Sequence, residues 1–132
     1  MADRVPTLRQ VVLDAEDARA LAEFYRQLLG FDIRPGDPDD WVVLLDPEGR
    51  PRLAFQQVPR LPPPTWPAGP RPQMLHLDLT VETRAELDEQ HERAISLGAR
   101  LLADQADDPE EPLRVYADPA GHPFCLFVSP PG

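Results

Sequence analysis

The sequence predicts an α+β fold that contains two βαβββ repeats, and three observations predict it. The order strand, helix, strand, strand, strand occurs both before and after a Pro-rich segment at 59–72. The turn Asp-Pro-Glu-Gly-Arg-Pro at 46–51 recurs as Asp-Pro-Ala-Gly-His-Pro at 118–123. Each helix ends at a Leu-Gly pair, at 29–30 and at 97–98. Because half of one small domain cannot bury both faces of a sheet, the two sheets should share a core or a cleft.

The first repeat is expected at about 7–58. An apolar run at 8–13 predicts a buried strand, and the acidic stretch 14–17 after it is typical of a helix start. Apolar residues at helical spacing follow, and Gly30 provides the stop. The predicted helical positions are Leu21, Phe24, Tyr25, Leu28 and Leu29, and the later strands are predicted at 31–34, 41–45 and 53–58.

The segment 59–72 contains seven prolines in fourteen residues, which favours an extended connector. The second repeat is expected at about 73–128, so that the whole chain, 1–132, forms one domain. Its elements are predicted as a strand at 74–81, a helix at 84–97, and strands at 99–103, 113–117 and 124–128.

The strand at 74–81 carries the candidate catalytic residues. Apolar and polar side chains alternate along it, so that His76 and Asp78 project from the same face. An imidazole titrates near neutral pH and a neighbouring carboxylate favours its charged form, so the two can act as an acid/base pair. The alternative is a structural role, in which His76 makes a cross-strand hydrogen bond and Asp78 pairs with an arginine.

The composition excludes several functional classes. The chain has 13 Arg, no Lys and 23 acidic residues, for a net charge of −10, which argues against nucleic acid or an anionic membrane as a partner. The lack of Lys excludes Schiff-base chemistry, and neither serine lies in a Gly-x-Ser-x-Gly turn. A single Cys, no signal peptide and no long apolar run together favour a cytoplasmic protein.

The segment Glu23-Phe24-Tyr25-Arg26-Gln27-Leu28-Leu29-Gly30-Phe31, the two Asp-Pro-x-Gly turns and His76 resemble the vicinal oxygen chelate superfamily. This superfamily includes glyoxalase I, bleomycin-resistance proteins and extradiol dioxygenases. The resemblance implies two βαβββ repeats that form a cleft or half-barrel, a small-molecule ligand and a homodimer.

The resemblance also implies where metal ligands would lie. In metal-using relatives a His or similar residue on the first strand of each half and a Glu after each Asp-Pro-x-Gly turn bind the ion. Those positions fall on Gln10, Leu53, His76 and Cys125, of which only His76 is a good ligand. We therefore expect no cofactor and no standard metal site. A divalent metal in a displaced site remains the alternative, bound by His76 with Gln10 or Cys125, or by His76, Asp78 and Cys125.

The leading hypothesis is a glyoxalase-like protein that binds a small organic molecule in its cleft without that metal. The alternatives are a metal-dependent lyase, isomerase or dioxygenase that uses His76, a drug-sequestering protein of the bleomycin-resistance type, and a structural or regulatory module. The residues expected to line the cleft are Gln10, Val12, Trp41, Leu53, Phe55, His76, Asp78, Arg114, Tyr116, Cys125 and Phe127.

Overall fold

The computed structural model describes residues 4–129 of the chain. The chain divides into two compact units, Met1–Arg60 and Leu61–Gly132. Each unit contains one βαβββ module with one helix and one open four-stranded sheet, so the predicted α+β class and the two repeats are confirmed. Neither sheet closes into a barrel. Within residues 4–129, neither helix is both long and apolar enough to span a membrane.

The first unit has the sheet order β1-β4-β3-β2. Strands β1 and β4 are parallel, and the other neighbouring strands are antiparallel. The elements are β1 (Val11–Ala15), α1 (Ala18–Leu29), β2 (Asp32–Ile33), β3 (Trp41–Leu45) and β4 (Pro51–Gln57). The first strand was expected at 8–13 and lies at 11–15, because the acidic residue at position 14 belongs to the strand instead of the helix start.

Helix α1 begins after the capping residue Asp17, ends at Gly30, and packs against the sheet through its apolar face. The Asp17 carboxylate accepts a hydrogen bond from the Ala20 amide at 3.0 Å, and Gly30 adopts a left-handed conformation with φ of 72°. Tyr25 is fully buried and stacks on Phe55 of β4, with ring centroids 5.8 Å apart. The side of the sheet that carries Phe55 is therefore the side covered by α1.

The second unit repeats this arrangement with the order β5-β8-β7-β6, in which β5 and β8 are parallel. Thr83 caps its helix by accepting a hydrogen bond from the Glu86 amide, and Gly98 ends it with φ of 116°. The elements are β5 (Leu77–Val81), α2 (Arg84–Leu97), β6 (Arg100–Gln105), β7 (Leu113–Ala117) and β8 (Pro123–Val128). The strand predicted at 74–81 begins only at Leu77, so His76 immediately precedes it.

The two Asp-Pro-x-Gly turns are built in the same way. The Asp46 carboxylate accepts hydrogen bonds from the amides of Glu48 and Arg50, both at 3.0 Å. In the second turn Asp118 accepts from the amides of Ala120 and His122, at 2.9 and 3.0 Å. Both aspartates are buried, so each turn is held by a buried side chain that satisfies backbone donors.

Most of the Pro-rich segment is part of the second unit and has structure of its own. Thr65 and Pro72 form an isolated bridge, and Arg71 Nε donates to the Pro63 carbonyl at 3.0 Å. Pro63 also packs so closely on Gly121 that a Cβ there would lie 2.6 Å from the Pro63 Cβ. The segment therefore packs against the second Asp-Pro-x-Gly turn and is more than an extended connector.

Candidate functional site

The sheet of the second unit has one face toward α2 and one open face. Tyr116 of β7 stacks on Phe124 of β8 and hydrogen-bonds His91 of α2, so these rings lie on the helix side. Side chains alternate along a strand, so Cys125 projects from the opposite face. Asp78 is the register partner of Cys125 and lies on that same face.

Three potential ligands meet at this open face. His76 Nε2 lies 3.2 Å from Asp78 Oδ1, and one ligand atom from each of His76, Asp78 and Cys125 lies within 4.8 Å of the others. The His76 and Asp78 side chains are 42% and 56% exposed, whereas Cys125 is half-buried. The group, called the His-Asp-Cys cluster below, is therefore accessible to a ligand from solvent.

The thiol of the cluster is held in its neutral form. Burial raises the pKa of Cys125 to about 11, and the nearby Asp78 charge and a hydrogen bond to that carboxylate act in the same direction. A neutral thiol is a poor nucleophile, so covalent catalysis by Cys125 does not fit this site, whereas hydrogen bonding and proton exchange through His76 and Asp78 do.

The equivalent positions of the first unit carry no comparable group. Gln10 lies seven residues before the helix cap Asp17, as His76 lies seven residues before the cap Thr83. Val12 then corresponds to Asp78. Val12 pairs in register with Ala54, which therefore corresponds to Cys125.

This register corrects the expected position of the first-unit ligand. Counting seven residues from Asp46 predicts Leu53, but an irregularity between Leu44 and Leu45 shifts the pairing by one residue. Leu53 is buried and alternates with Phe55, so it lies on the face covered by α1. The predictions that Leu53 and Phe55 line a cleft are therefore wrong.

A metal centre that draws ligands from both halves does not fit the residues present. At the positions that correspond to the cluster, the first unit offers only the amide of Gln10, since the side chains of Val12 and Ala54 have no ligand atoms. The Gln10 Oε1 atom is buried and accepts no hydrogen bond from residues 4–129. Among residues 4–129, a three-residue set of the kind that binds transition metals occurs only in the second unit, and this set is the His-Asp-Cys cluster.

Two further predicted cleft residues lie on the helix side of the second sheet. The Tyr116 hydroxyl lies 2.8 Å from Nδ1 of His91. Burial raises the pKa of Tyr116 to about 12. Arg114 is only 8% exposed and forms ion pairs with Asp88 at 3.0 Å and Asp104 at 3.2 Å. The prediction that Arg114 and Tyr116 face a ligand is wrong, because their strand places the alternate side chains on the open face.

The residues beside Cys125 and Phe127 on the open face are Val115 and Leu113, their register partners on β7. Neither residue is among those predicted from the sequence to line a cleft. Their signal was present, because they alternate with the polar Arg114 and Tyr116, but the polar pair was assigned to the wrong face. Leu113, Val115 and Phe127 make the open face next to the cluster apolar; Val115 is buried, whereas Leu113 and Phe127 are half-buried.

The remaining predicted residues lie on the face of the first sheet away from α1. Val12 is 39% exposed, and Trp41 shares its face through the register pairs that connect β3, β4 and β1. Gln10 occupies the matching position just before β1. A contact of these three residues with a ligand stays a prediction.

A sequence-family model described as a glyoxalase-like domain matches residues 10–127. The chain belongs to the glyoxalase-like domain family. The resemblance to the vicinal oxygen chelate superfamily is thereby confirmed, and the matched range includes every predicted site residue. None of the curated proteins matches the sequence of this glyoxalase-like protein.

Solved structures similar to this glyoxalase-like protein have the same fold. A hypothetical protein, SA1046 from S. aureus, is 19% identical with a TM-score of 0.70, over 96% of this chain and 100% of its own. A glyoxalase/bleomycin resistance protein/dioxygenase family enzyme from Burkholderia phytofirmans PsJN is 20% identical with a TM-score of 0.70, over 91% and 96%. The fosfomycin resistance protein FosX from Listeria monocytogenes, solved with Mn(II) and sulfate, is 18% identical with a TM-score of 0.68, over 95% and 93%. At such identities the likeness establishes the fold alone.

Proposed function

We propose that this glyoxalase-like protein binds a small organic molecule at the open sheet face of its second unit, without the metal centre used by relatives. One observation carries the proposal: the His-Asp-Cys cluster lies on an accessible face whose neighbouring side chains are apolar. Binding sites for small molecules combine apolar surface with a few polar groups that fix orientation.

The polar groups of the cluster favour a ligand that carries a hydroxyl or amino group. When the Nε2–H of His76 donates a hydrogen bond to Asp78, the Nδ1 atom of the neutral ring is left as an acceptor for an O–H or N–H of the ligand. Asp78 stabilises this orientation of the imidazole. In a catalytic version of the site, His76 is the acid or base and Asp78 is its partner.

The net charge of −10 bears on the charge of the ligand. An acidic protein attracts cations and repels anions over roughly the Debye length of about 8 Å at physiological salt. A cationic ligand, of the kind that a drug-sequestering protein would bind, is therefore favoured at the cluster over an anionic one.

A second candidate function is that of a metal-dependent lyase, isomerase or dioxygenase that uses His76 in a displaced site. The observation that favours it is the approach of three ligand atoms to within 4.8 Å in the second unit alone. Imidazole nitrogen, carboxylate oxygen and thiolate sulfur are the ligands that Zn²⁺ takes in proteins. His76, Asp78 and Cys125 would hold the ion, which would supply Lewis-acid activation of a bound oxygen group.

The proposal is tested by a thermal-shift screen of small organic molecules against protein treated with EDTA. We expect ligands that raise Tm for the wild type and for Glu89→Gln, an exposed change on α2, but not for His76→Ala. Ligands that raise Tm equally in His76→Ala would overturn the proposed site. Ligands that act only after Ni²⁺ or Zn²⁺ is added would favour the metal-dependent function instead.

Cobalt titration separates the two candidates at the cluster itself. Binding of Co²⁺ by a thiolate produces a sulfur-to-cobalt charge-transfer absorption and requires loss of the Cys125 proton. The metal-free proposal predicts no such band at neutral pH. A saturable band that Cys125→Ser abolishes would support the metal-dependent candidate.

We also propose that the protein is a cytoplasmic homodimer, a proposal supported by the superfamily resemblance and by the single cysteine. Sedimentation velocity is the test. A species of twice the 14.8 kDa chain mass is the expected result, and a monomer at all concentrations would contradict it.

A further inference from the structure

We propose that the first unit carries an anion site of its own, which binds the phosphoryl group of a small molecule between three arginines. The site is an open pocket of about 410 Å³. Its lining residues are Thr7, Leu8, Arg9, Arg50, Pro51 and Arg52. This volume lies within the usual range for ligand pockets, roughly 300–1,000 Å³. The inference does not depend on the proposed function of the His-Asp-Cys cluster.

The charge at this pocket contrasts with that of the rest of the chain. Several arginines elsewhere are paired with carboxylates, as in Arg19 with Asp39 at 2.7 Å and Arg34 with Asp37 at 2.8 Å. The guanidinium groups of Arg9 and Arg50 make no hydrogen bond or ion pair with any residue in the range 4–129. In a chain of net charge −10, this pocket brings two such arginines together with a third, Arg52.

The fold places these arginines together and fixes two of them. Val11 pairs with Leu53 in the parallel strands β1 and β4, so Arg9, just before β1, lies at the same end of the sheet as the start of β4. The Arg50 backbone is held to Asp46 at both its amide, at 3.0 Å, and its carbonyl, at 2.8 Å.

Arg52 is fixed by the same carboxylate, since its Nη1 donates to Asp46 Oδ2 at 3.3 Å while its side chain stays 59% exposed. Asp46 thus orients the pocket in addition to closing the turn. Three guanidinium charges and one carboxylate leave a local charge of about +2, which is complementary to a dianion.

A phosphate monoester matches this arrangement in charge and in geometry. It carries a charge of about −1.5 to −2 at pH 7, and guanidinium groups bind its oxygens through paired, charge-assisted hydrogen bonds. The Thr7 hydroxyl adds a donor to the lining. Leu8 and Pro51 give an apolar surface for the organic part of the ligand.

The experiment is an NMR titration of ¹⁵N-labelled protein with inorganic phosphate and then with phenyl phosphate, at constant ionic strength. Three proteins are compared: the wild type, the double variant Arg9→Gln/Arg50→Gln, and the control Arg60→Gln/Arg100→Gln. Arg60 and Arg100 are exposed and outside the pocket, and both double variants change the net charge from −10 to −12. The control therefore matches the loss of charge without touching the site.

We expect saturable shifts of the amides at 7–9 and 50–52, and tighter binding of phenyl phosphate than of phosphate. Affinity should fall by about tenfold or more in Arg9→Gln/Arg50→Gln and stay within about twofold in the control. Arg9→Lys/Arg50→Lys, which keeps the charge but loses the paired donors, should lie between them. Shifts that do not saturate, or that weaken equally in both Gln variants, would overturn the proposed site. Such a result would mean that phosphate responds only to the overall charge of the protein.

Discussion

His76 Nε2 lies 3.2 Å from Asp78 Oδ1, and Asp78 is in turn the strand partner of Cys125. One carboxylate therefore lies beside both an imidazole and a thiol on the open face of a sheet. The first unit places Gln10, Val12 and Ala54 at the matching positions, so the two modules share a fold but differ in chemistry.

Replacement of Asp78 by Asn should make the Cys125 thiol more acidic. The Asp78 charge contributes to the raised pKa of about 11, but burial is the larger cause, so the pKa should fall and still remain above its ordinary value. The rate of alkylation by iodoacetamide at pH 9 should increase several-fold in Asp78→Asn and stay unchanged in Glu89→Gln. An unchanged rate in Asp78→Asn would mean that the carboxylate does not contact the thiol.

Two phenylalanines on opposite faces should differ in their effect on stability. Phe55 is fully buried against Tyr25, so Phe55→Ala should lower the free energy of unfolding by about 3–5 kcal/mol. Phe127 is half-buried on the open face, and Phe127→Ala should cost less than about 2 kcal/mol. Urea unfolding measures both values. Equal losses, or a larger loss for Phe127→Ala, would contradict the assignment of the faces.

Asp46 should stabilise the fold through its charged form. Hydrogen bonds from the Arg50 amide above all, and also from Arg52 and the Glu48 amide, lower its pKa. A lowered pKa contributes stability that is present above the ordinary value of about 3.9 and is lost as the pH falls through the folded-state pKa. Asp46→Asn should therefore lower Tm by about 3–6 °C at pH 7, and the difference from the wild type should shrink below pH 4.

The matched control for Asp46→Asn is Asp40→Asn, since Asp40 is an exposed acid in the same unit. Its Tm should follow that of the wild type at neutral pH. A Tm gap for Asp46→Asn that stays constant down to pH 3 would show that the charge of Asp46 is not what stabilises the turn.

Tyr116→Phe tests the contribution of the hydrogen bond between Tyr116 and His91 of α2. The change removes the 2.8 Å hydrogen bond with His91 and leaves the imidazole, which is partly exposed, to water. We expect a loss of about 1 kcal/mol in the free energy of unfolding, measured in urea. Ligand binding at the His-Asp-Cys cluster should be unaffected, and a loss of binding in Tyr116→Phe would contradict its place on the helix side.

Local signals in the sequence were sufficient for the elements of the fold. Gly30 and Gly98 mark the helix ends, and Asp46 and Asp118 mark the two turns, because each acts on backbone groups within a few residues. The α+β class and the repeat followed from these signals.

Register and facing depended on partners that are distant in sequence. The irregularity at Leu44 and Leu45 moved Ala54 into the position that simple counting gave to Leu53. Arg114 is drawn to the helix side by Asp88, which lies on another element 26 residues earlier. Neither effect leaves a local signal in the sequence, so the candidate site was predicted at His76, Asp78 and Cys125 but not at the residues around them.

The most direct test of metal-free ligand binding is calorimetry with a ligand from the thermal-shift screen, on EDTA-treated protein and on protein incubated with Ni²⁺ or Zn²⁺. The same samples are assayed for turnover of the thiol hemithioacetal of methylglyoxal. We expect equal affinity, within about twofold, with and without metal, and no turnover. One tightly bound Ni²⁺ or Zn²⁺ per chain, with binding and turnover only in its presence, would contradict the proposed function.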